Sequence, residues 1–209
     1  MTRQLVPVDF GRADDRLLEA LRAGRPEAWL KFYDRFAPYV HAVLRRIMGL
    51  DSELDDLLQE VFARALEGIG RVRDSEKLKG WLRSLTVFTA RSTLKRRKWR
   101  SWIPLIGPDD SNEPEALTMP VTTDALAKRR VLLRVKVVLD AMPVEERLVF
   151  TLRHFEGLEL TEVAQTCEVS LSTAKRRINK ADEVFFRAIE GEPEVLEWLE
   201  TERADGRPA

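Results

Sequence analysis

The segment Leu160–Lys180, LTEVAQTCEVSLSTAKRRINK, predicts two short helices joined by a tight turn. The first helix is predicted over Thr161–Cys167, where the Thr161 side chain can cap the backbone N–H groups of the first turn. The turn is Glu168–Ser170, and the second helix begins at Leu171. Two helices joined in this way are typical of a helix-turn-helix motif.

Small and cationic side chains occupy the positions that this motif needs. Ala164 is small where the helices must cross closely, and Val169 and Ala174 would fill the gap between them. The second helix carries a cluster of cations without an acid among them: Lys175, Arg176, Arg177 and Lys180. The motif offers such a helix to the major groove of DNA, where side-chain forks read bases and lysines hold phosphates. We therefore favour DNA binding over a plain helical corner with a solvated basic face.

The turn contains one residue that is unusual for the motif. Glu168 stands where such turns often need a positive φ, which Gly or Asn adopts more easily. We expect this conformation to cost about 1 kcal/mol.

The rest of the chain is predicted to be helical, because apolar residues recur at three- and four-residue steps almost throughout. In the first half, helices are predicted from Pro26 to a stop at Gly49, with Pro38 kinking or dividing the helix, then over Glu53–Glu67, and from Leu78 through Leu94. In the second half they are predicted over Asp124–Met142, Val144–Glu156, Leu171–Ile189 and Glu192–Arg203. Tyr33, Leu66 and Trp81 are expected on the buried faces, Trp99 and Trp102 are expected to be exposed, and the pattern leaves Phe88 open.

The segment Ser101–Thr123 breaks this pattern. It contains Pro104, Pro108, Pro114 and Pro120 and shows no helical period. Such a composition is typical of a linker. The fold class predicted is therefore all-α, with two small helical domains joined by a flexible linker, the second containing the helix-turn-helix.

Charge is segregated along the chain although its sum is zero, with 35 Lys and Arg against 35 Asp and Glu. Asp51–Glu67 holds six acids against one arginine, and Arg71–Trp102 holds eleven cations against two acids. Asp182–Asp205 is acidic again, with nine acids against two arginines. Cations interleaved with aromatic residues, as in the second segment, suit a phosphate backbone with bases that can stack.

Several classes of protein are excluded. Cys167 is the single cysteine, which rules out an internal disulfide framework and a cysteine-based zinc site, and we expect it to be a buried residue of the first motif helix. The two histidines stand in no metal-binding spacing, and no phosphate loop or nucleophile elbow is present. We expect no enzyme activity, cofactor, metal or small-molecule substrate. No signal peptide or membrane helix is predicted, so we expect a soluble cytoplasmic protein without direct membrane insertion.

Two further segments bring the pattern close to a known family. Ala23–Met48 reads AGRPEAWLKFYDRFAPYVHAVLRRIM, and Asp55–Leu66 reads DDLLQEVFARAL. Together with the helix-turn-helix they resemble the bacterial RNA polymerase sigma factors of the extracytoplasmic-function (ECF) group. The resemblance implies a region 2-like domain over 13–100, a linker over 101–124, a region 4-like domain over 125–190 and an acidic tail over 191–209.

The resemblance also implies functional residues. DDLLQEVFARAL is similar to the stretch that docks on the β′ clamp helices of core RNA polymerase, with Asp56, Gln59 and Glu60 as the contacts. The loop Arg71–Lys77 and the helix that follows resemble the parts that open the promoter −10 element; the residues expected there are Lys77, Lys79, Phe88, Arg91, Lys95 and Arg96. The residues expected on −35 DNA are Arg153, Thr173, Lys175, Arg176, Arg177, Asn179 and Lys180.

Two departures from the family pattern keep other functions open. Thr86–Phe88 replaces a common Ala-Arg-Asn run, and Ser170–Ser172 replaces a common Pro-x-Gly opening of the recognition helix. One alternative is a sigma-like interaction protein without full promoter recognition, which Phe88 supports best. The other is a stand-alone helix-turn-helix regulator, which leaves DDLLQE unexplained. The group is commonly held inactive by an anti-sigma factor, which implies such a partner, and the acidic tail is hypothesised to shield the recognition helix.

Overall fold

The computed structural model describes residues 12–49, 51–100 and 123–205, and within these ranges the chain is helical without strands. The all-α class expected from the sequence is confirmed. The helices described are α1 (Arg12–Arg22), α2 (Pro26–Met48), α3 (Leu54–Gly68), α4 (Leu78–Arg100), α5 (Thr123–Ala141), α6 (Val144–His154), α7 (Leu160–Thr166), α8 (Leu171–Ala188) and α9 (Pro193–Asp205). Two short 3-10 turns, Ile69–Arg71 and Ser75–Lys77, lie between α3 and α4.

The contacts divide the chain into two compact units after Ala90. Each unit has its own buried apolar core. The linker predicted over 101–124 lies outside the described residues apart from its last two, which open α5. Trp102 lies outside them as well.

In the first unit, α2 packs along α3 through a cluster of aromatic rings. Phe32 and Phe36 are fully buried, and the Phe32 ring centroid lies 5.5 Å from that of Phe62 on α3. Pro38 does not divide α2, because buried side chains on both sides of it, among them Phe36 and Val40, hold the helix against the core. Gly49 ends α2 with a φ of 80°, as predicted.

Two positions predicted to be buried are exposed. Leu66 is 56% exposed and Tyr33 is 40% exposed. In each case the preceding residue, Ala65 or Phe32, is fully buried, and the next position is turned by about 100° around the helix. The helical period alone placed these residues at the edge of the apolar stripe, and the packing excludes them from the core.

The second unit has its core between α5, α6, α8 and α9. The ring centroids of Phe150 and Phe185 are 4.4 Å apart at the α6–α8 contact. The last helix, α9, adds Val195 and Leu199 to this core, each 2% exposed, and Trp198 stacks edge-on against Phe155. The acidic segment after residue 190 is therefore, over α9, a packed helix with an apolar face.

The helix-turn-helix is formed by α7 and α8. The N-cap of α7 is Glu159, which forms a reciprocal capping box with Glu162, so the predicted cap at Thr161 is wrong. A carboxylate can accept the same N–H groups as a hydroxyl, and the helix therefore begins one residue earlier than predicted. Ser170 caps α8, its hydroxyl accepting from the Thr173 N–H at 3.2 Å. Glu168 adopts a φ of 56°, which confirms the predicted left-handed turn residue.

Candidate nucleic-acid and protein interfaces

The outer face of α3 presents the acidic residues predicted to bind polymerase. Asp56 and Gln59 are exposed, and Glu60 is partly exposed. Ala63 and Leu66 are exposed on the same side of the helix, so the face has an apolar part next to its acidic part. Leu66 is a residue of this surface that the sequence pattern assigned to the core.

Glu60 is connected to Phe88 of α4 through Arg64. The Arg64 guanidinium donates to Glu60 Oε1 over 2.7 Å and lies 5.1 Å from the centroid of the Phe88 ring. A guanidinium within about 6 Å of a ring face is attracted by the negative face of the π system. The Phe88 ring, 47% exposed, is thus a half-exposed aromatic surface beside a cation rather than a core residue.

The predicted −10 residues near the start of α4 also have ordered surroundings. Lys77 is exposed, with its Nζ 3.7 Å from Asp74 in the preceding turn. Lys79 is partly buried, and its Nζ lies 5.2 Å from the centroid of the Tyr39 ring. Trp81 is half-buried and packs over Gly68, where an added Cβ would lie 3.0 Å from the indole.

The last turns of α4 belong to the second unit. There, two of their cations form ion pairs with Glu145 of α6. Lys95 Nζ lies 2.8 Å from Glu145 Oε1, and the Arg91 guanidinium lies 3.7 Å from Oε2 and donates to the Cys167 carbonyl over 3.0 Å. Burial acts to raise the pKa of Glu145, but the hydrogen bond from Lys95 and the charges around it outweigh burial and hold that pKa below its ordinary value. Arg96 is exposed, and Trp99 is exposed as predicted, at 68%.

One face of α8 is exposed and polar. Lys175, Arg176 and Asn179 are exposed, and their spacing of three and four residues places them side by side. Ala174 and Ile178 on the opposite face are buried in the unit. The side chains that the motif would present to a major groove are therefore presented outward.

The other two cations of the predicted cluster are held by the first turn of α6. Arg177 Nη1 lies 3.0 Å from Glu145 Oε2, and Lys180 Nζ lies 3.2 Å from Glu146 Oε1. Sequence reasoning missed Glu145 and Glu146 as partners. In the sequence, the acids after Pro143 indicate the start of a helix. Their distance from α8 along the chain does not show that the two helices are in contact.

Of the remaining predicted −35 residues, Thr173 lies in the first turn of α8, and Arg153 lies on α6 beside the motif. The Thr173 hydroxyl is 2.8 Å from that of Ser170 at the start of α8. Arg153 donates to the Leu158 carbonyl over 2.7 Å and lies 3.6 Å from Glu159. Their roles on DNA stay predictions.

Cys167 is buried at the end of α7, as predicted, being 2% exposed. Burial raises the pKa of its thiol above the ordinary value, which keeps the group in its less reactive protonated form.

The described residues contain neither a metal-binding cluster nor a membrane-spanning helix. Among them, no group of three or more His, Cys, Asp or Glu side chains could hold a metal ion. No helix in this part of the chain is long and apolar enough to cross a membrane.

Comparison with known proteins matches both units. The family description Sigma-70 region 2 covers residues 32–100, and Sigma-70, region 4 covers residues 132–181. The chain is 24% identical over 183 residues to the RNA polymerase sigma-H factor of Pseudomonas aeruginosa, covering 85% of this chain and 94% of that protein. It is 23% identical over 184 residues to the ECF RNA polymerase sigma-E factor of Escherichia coli K12, with the same coverage of 85% and 94%.

A solved structure shares the fold. CnrH, solved in complex with the cytosolic domain of CnrY, superposes with a TM-score of 0.58 at 18% identity, covering 86% of this chain and 99% of that one. The two matched regions contain the acidic face of α3 and the exposed basic face of α8. The chain therefore belongs to the extracytoplasmic-function group of RNA polymerase sigma factors, which direct the polymerase to promoters in transcription initiation.

Proposed function

We propose that this sigma factor docks on the β′ clamp helices of core RNA polymerase through α3, and that Asp56, Gln59 and Glu60 make the contacts. The observation that carries the proposal is the pair of exposed faces of opposite sign, acidic on α3 and basic on α8, in two separate units. Complementary charge steers such a docking and selects against wrong partners. Ala63 and Leu66 add apolar area to the same face.

The proposed contact with the −35 element is made by α8. Lys175, Arg176 and Asn179 point outward together, and an arginine fork on a guanine contributes about 1–3 kcal/mol of discrimination. Arg177 and Lys180 hold α8 on α6 and support this contact from the side.

The proposed contact with the −10 element is made by the loop 71–77 and the outer side of α4. Phe88 offers a half-exposed ring, in contact with the Arg64 guanidinium, on which an unstacked base can pack. Unstacking a base costs a few kcal/mol, which binding to this surface must offset. Phe88 in place of a polar residue is then compatible with promoter opening.

Two weak contacts on one polymerase act together. Tethering the two DNA-binding units makes the second contact intramolecular, so that the spacing of the two DNA elements becomes part of the specificity. The protein acts by binding in this scheme, and its site of action is the cytoplasm, where the polymerase is.

A protein regulator is proposed as a further partner. CnrH, the structural relative, was solved bound to the cytosolic domain of CnrY. By analogy, an anti-sigma factor is proposed to bind this chain and hold it inactive.

In vitro transcription with core polymerase over a library of promoters tests the proposal. The intact protein is expected to initiate from a subset that shares two short elements at fixed spacing. Asp56→Arg is expected to abolish initiation and to weaken core binding at least tenfold, while Glu200→Arg, an exposed acid on α9, serves as the matched control and leaves both unchanged.

The other outcomes would each favour a different protein. Core binding by the intact protein without initiation on any promoter would indicate an interaction protein that has lost promoter recognition. Tight duplex binding without any association with core would indicate a stand-alone helix-turn-helix regulator.

A further inference from the structure

The helix α1 contacts the turn segment 69–77, although α1 lies before the matched region that begins at residue 32. The segment consists of the two 3-10 turns and the residues between them. It connects α3 to α4, and its outer side exposes Arg71, Arg73 and Lys77. The matched family region thus contains the segment but not the helix that supports it.

Two polar contacts join α1 to this segment. The Arg22 guanidinium donates to the carbonyl oxygen of Val72, and the Ser75 hydroxyl donates to the carboxylate of Asp15. They are seven residues apart on α1, which is two turns, so both side chains project from one side of the helix. The two contacts therefore fix the segment at two points along its length.

The anchored residues are those that point inward. Val72 is 6% exposed and Ser75 is 7% exposed, and Leu18 and Leu21 of α1 are buried with them. The segment is also restrained from within, because Asp74 accepts from the Glu76 N–H at 3.0 Å. Arg73 between the anchors, and Arg71 and Lys77 on either side of them, are exposed, so that their direction depends on where the anchors hold the backbone.

We infer that Asp15 and Arg22 are positioning residues that set the shape of the turn segment and, through it, the discrimination among bases at the promoter −10 element. The inference rests on the proposed function, in which this segment takes part in the contact with the −10 element. A base read by a loop is distinguished only when the loop has one conformation. Without the two contacts, the Val72 carbonyl and the Ser75 hydroxyl would turn to water, and several conformations of the loop would be populated.

A purely structural role for α1 makes a different prediction. Leu18 and Leu21 alone could dock the helix, and the polar contacts would then add stability without affecting the choice of base. The distinguishing measurement is the ratio of initiation on the preferred −10 base to that on the three others, because a loss of overall stability lowers all four rates together.

The test uses the full chain with core polymerase on promoters that carry each base at each −10 position. Arg22→Met and Ser75→Ala are expected to reduce the base ratio at one −10 position by about fivefold, the equivalent of one hydrogen bond. Arg22→Lys keeps a donor and is expected to restore most of the ratio. The ratio among −35 variants and the affinity for core are expected to stay unchanged, and Glu19→Gln, an exposed acid on α1, is the matched control.

Hydrogen exchange of residues 72–77 in the free protein provides a second readout that does not need transcription. Exchange is expected to accelerate about fivefold in Arg22→Met and Ser75→Ala relative to the intact protein and Glu19→Gln. Unchanged base ratios and unchanged exchange in well-folded variants would overturn the inference. Failure of the intact protein to initiate on any promoter would overturn the proposed function instead, and exchange alone would then decide whether α1 positions the segment.

Discussion

The acidic face of α3 and the basic face of α8 each appear in the sequence as a run of like charges on one helix. In the structure, the charged side chains of the two faces have different kinds of partner. On α8, Arg177 and Lys180 reach across to acids of α6, while Arg176 stays exposed. On α3, Glu60 pairs with Arg64 of the same helix, and Arg64 in turn lies over Phe88. Both helices are fixed by an apolar stripe, that of α8 through Phe185 on Phe150 of α6. Charge adds ion pairs between α8 and α6, whereas on α3 it carries a contact on to α4.

The difference shows that a run of like charges contains side chains with different functions. Arg177, which is 22% exposed and paired with α6, positions the helix, whereas Arg176 is exposed. Lys180 combines both properties, because it is paired with α6 and 61% exposed. The spacing in the sequence shows which cations lie on the same face of the helix. It does not show which of them pair with a residue of another helix, and that pairing decides the function of each cation. Substitutions within one cluster should therefore have effects on different observables.

The largest effect is expected for Arg176→Ala on promoter binding. Removing an exposed guanidinium fork should weaken the affinity of the holoenzyme for its promoter by about 1–3 kcal/mol and relax specificity at one −35 position. Filter binding across −35 variants measures both quantities. Arg187→Ala, an exposed arginine later on α8, is the control and should leave both unchanged. An equal loss on every −35 variant would mean that Arg176 contacts phosphate only.

A smaller effect, on a different observable, is expected for Arg177→Ala. The Arg177 and Glu145 side chains are 22% and 25% exposed, so their pair should contribute about 1 kcal/mol, the upper end for exposed pairs. The opening free energy of α6–α8 amides in hydrogen exchange should fall by that amount. Lys175→Ala, at an exposed position, should leave it unchanged. A promoter-specificity loss in Arg177→Ala without any change in opening free energy would place Arg177 on the DNA.

The sequence was sufficient for most of the fold because local signals agree with the packing. The bounds of α2, α3, α7 and α8 follow from Pro26, Gly49, Ser170 and the apolar steps to within about two residues. The expected left-handed conformation at Glu168 follows from the motif in the same way. These features depend on neighbours a few residues apart, which the sequence displays directly.

Contacts between distant segments could not be predicted. Ser75 and Asp15 are 60 residues apart, and Arg177 and Glu145 are 32 apart, and no periodicity relates them. The exposure of Leu66 could not be predicted either, because it depends on which edge of the apolar stripe of α3 is covered by α2. The candidate residues could thus be named from the family resemblance. Which of them face outward and which form ion pairs with another helix could not be told from the sequence.

The strained turn of the helix-turn-helix offers a gain in stability. Glu168→Gly should raise the opening free energy of α7 and α8 by about 0.5–1 kcal/mol, because glycine adopts a positive φ without steric cost. Gln165→Gly, at an exposed position inside α7, is the matched control and should lower it by about 1 kcal/mol. A loss of stability in Glu168→Gly would show that the glutamate side chain contributes more than its backbone conformation costs.

The smallest effect is a pH dependence at Glu145, which measures how much the charges of Lys95, Arg91 and Arg177 around this carboxylate contribute to stability. Because its pKa in the folded protein lies below the ordinary value of 4.5, the unfolded state binds more protons in that range, and stability falls as the pH drops. The contribution is fully present above pH 4.5 and is lost as the pH falls through the folded pKa. Glu145→Gln removes the ionisable group, so the difference in opening free energy between it and the intact protein should narrow as the pH falls through this window. A difference that stays constant with pH would mean that the Glu145 contacts act by packing and neutral hydrogen bonds, and that the ion pairs of α6 add no charge-dependent stability to the apolar contact between α6 and α8.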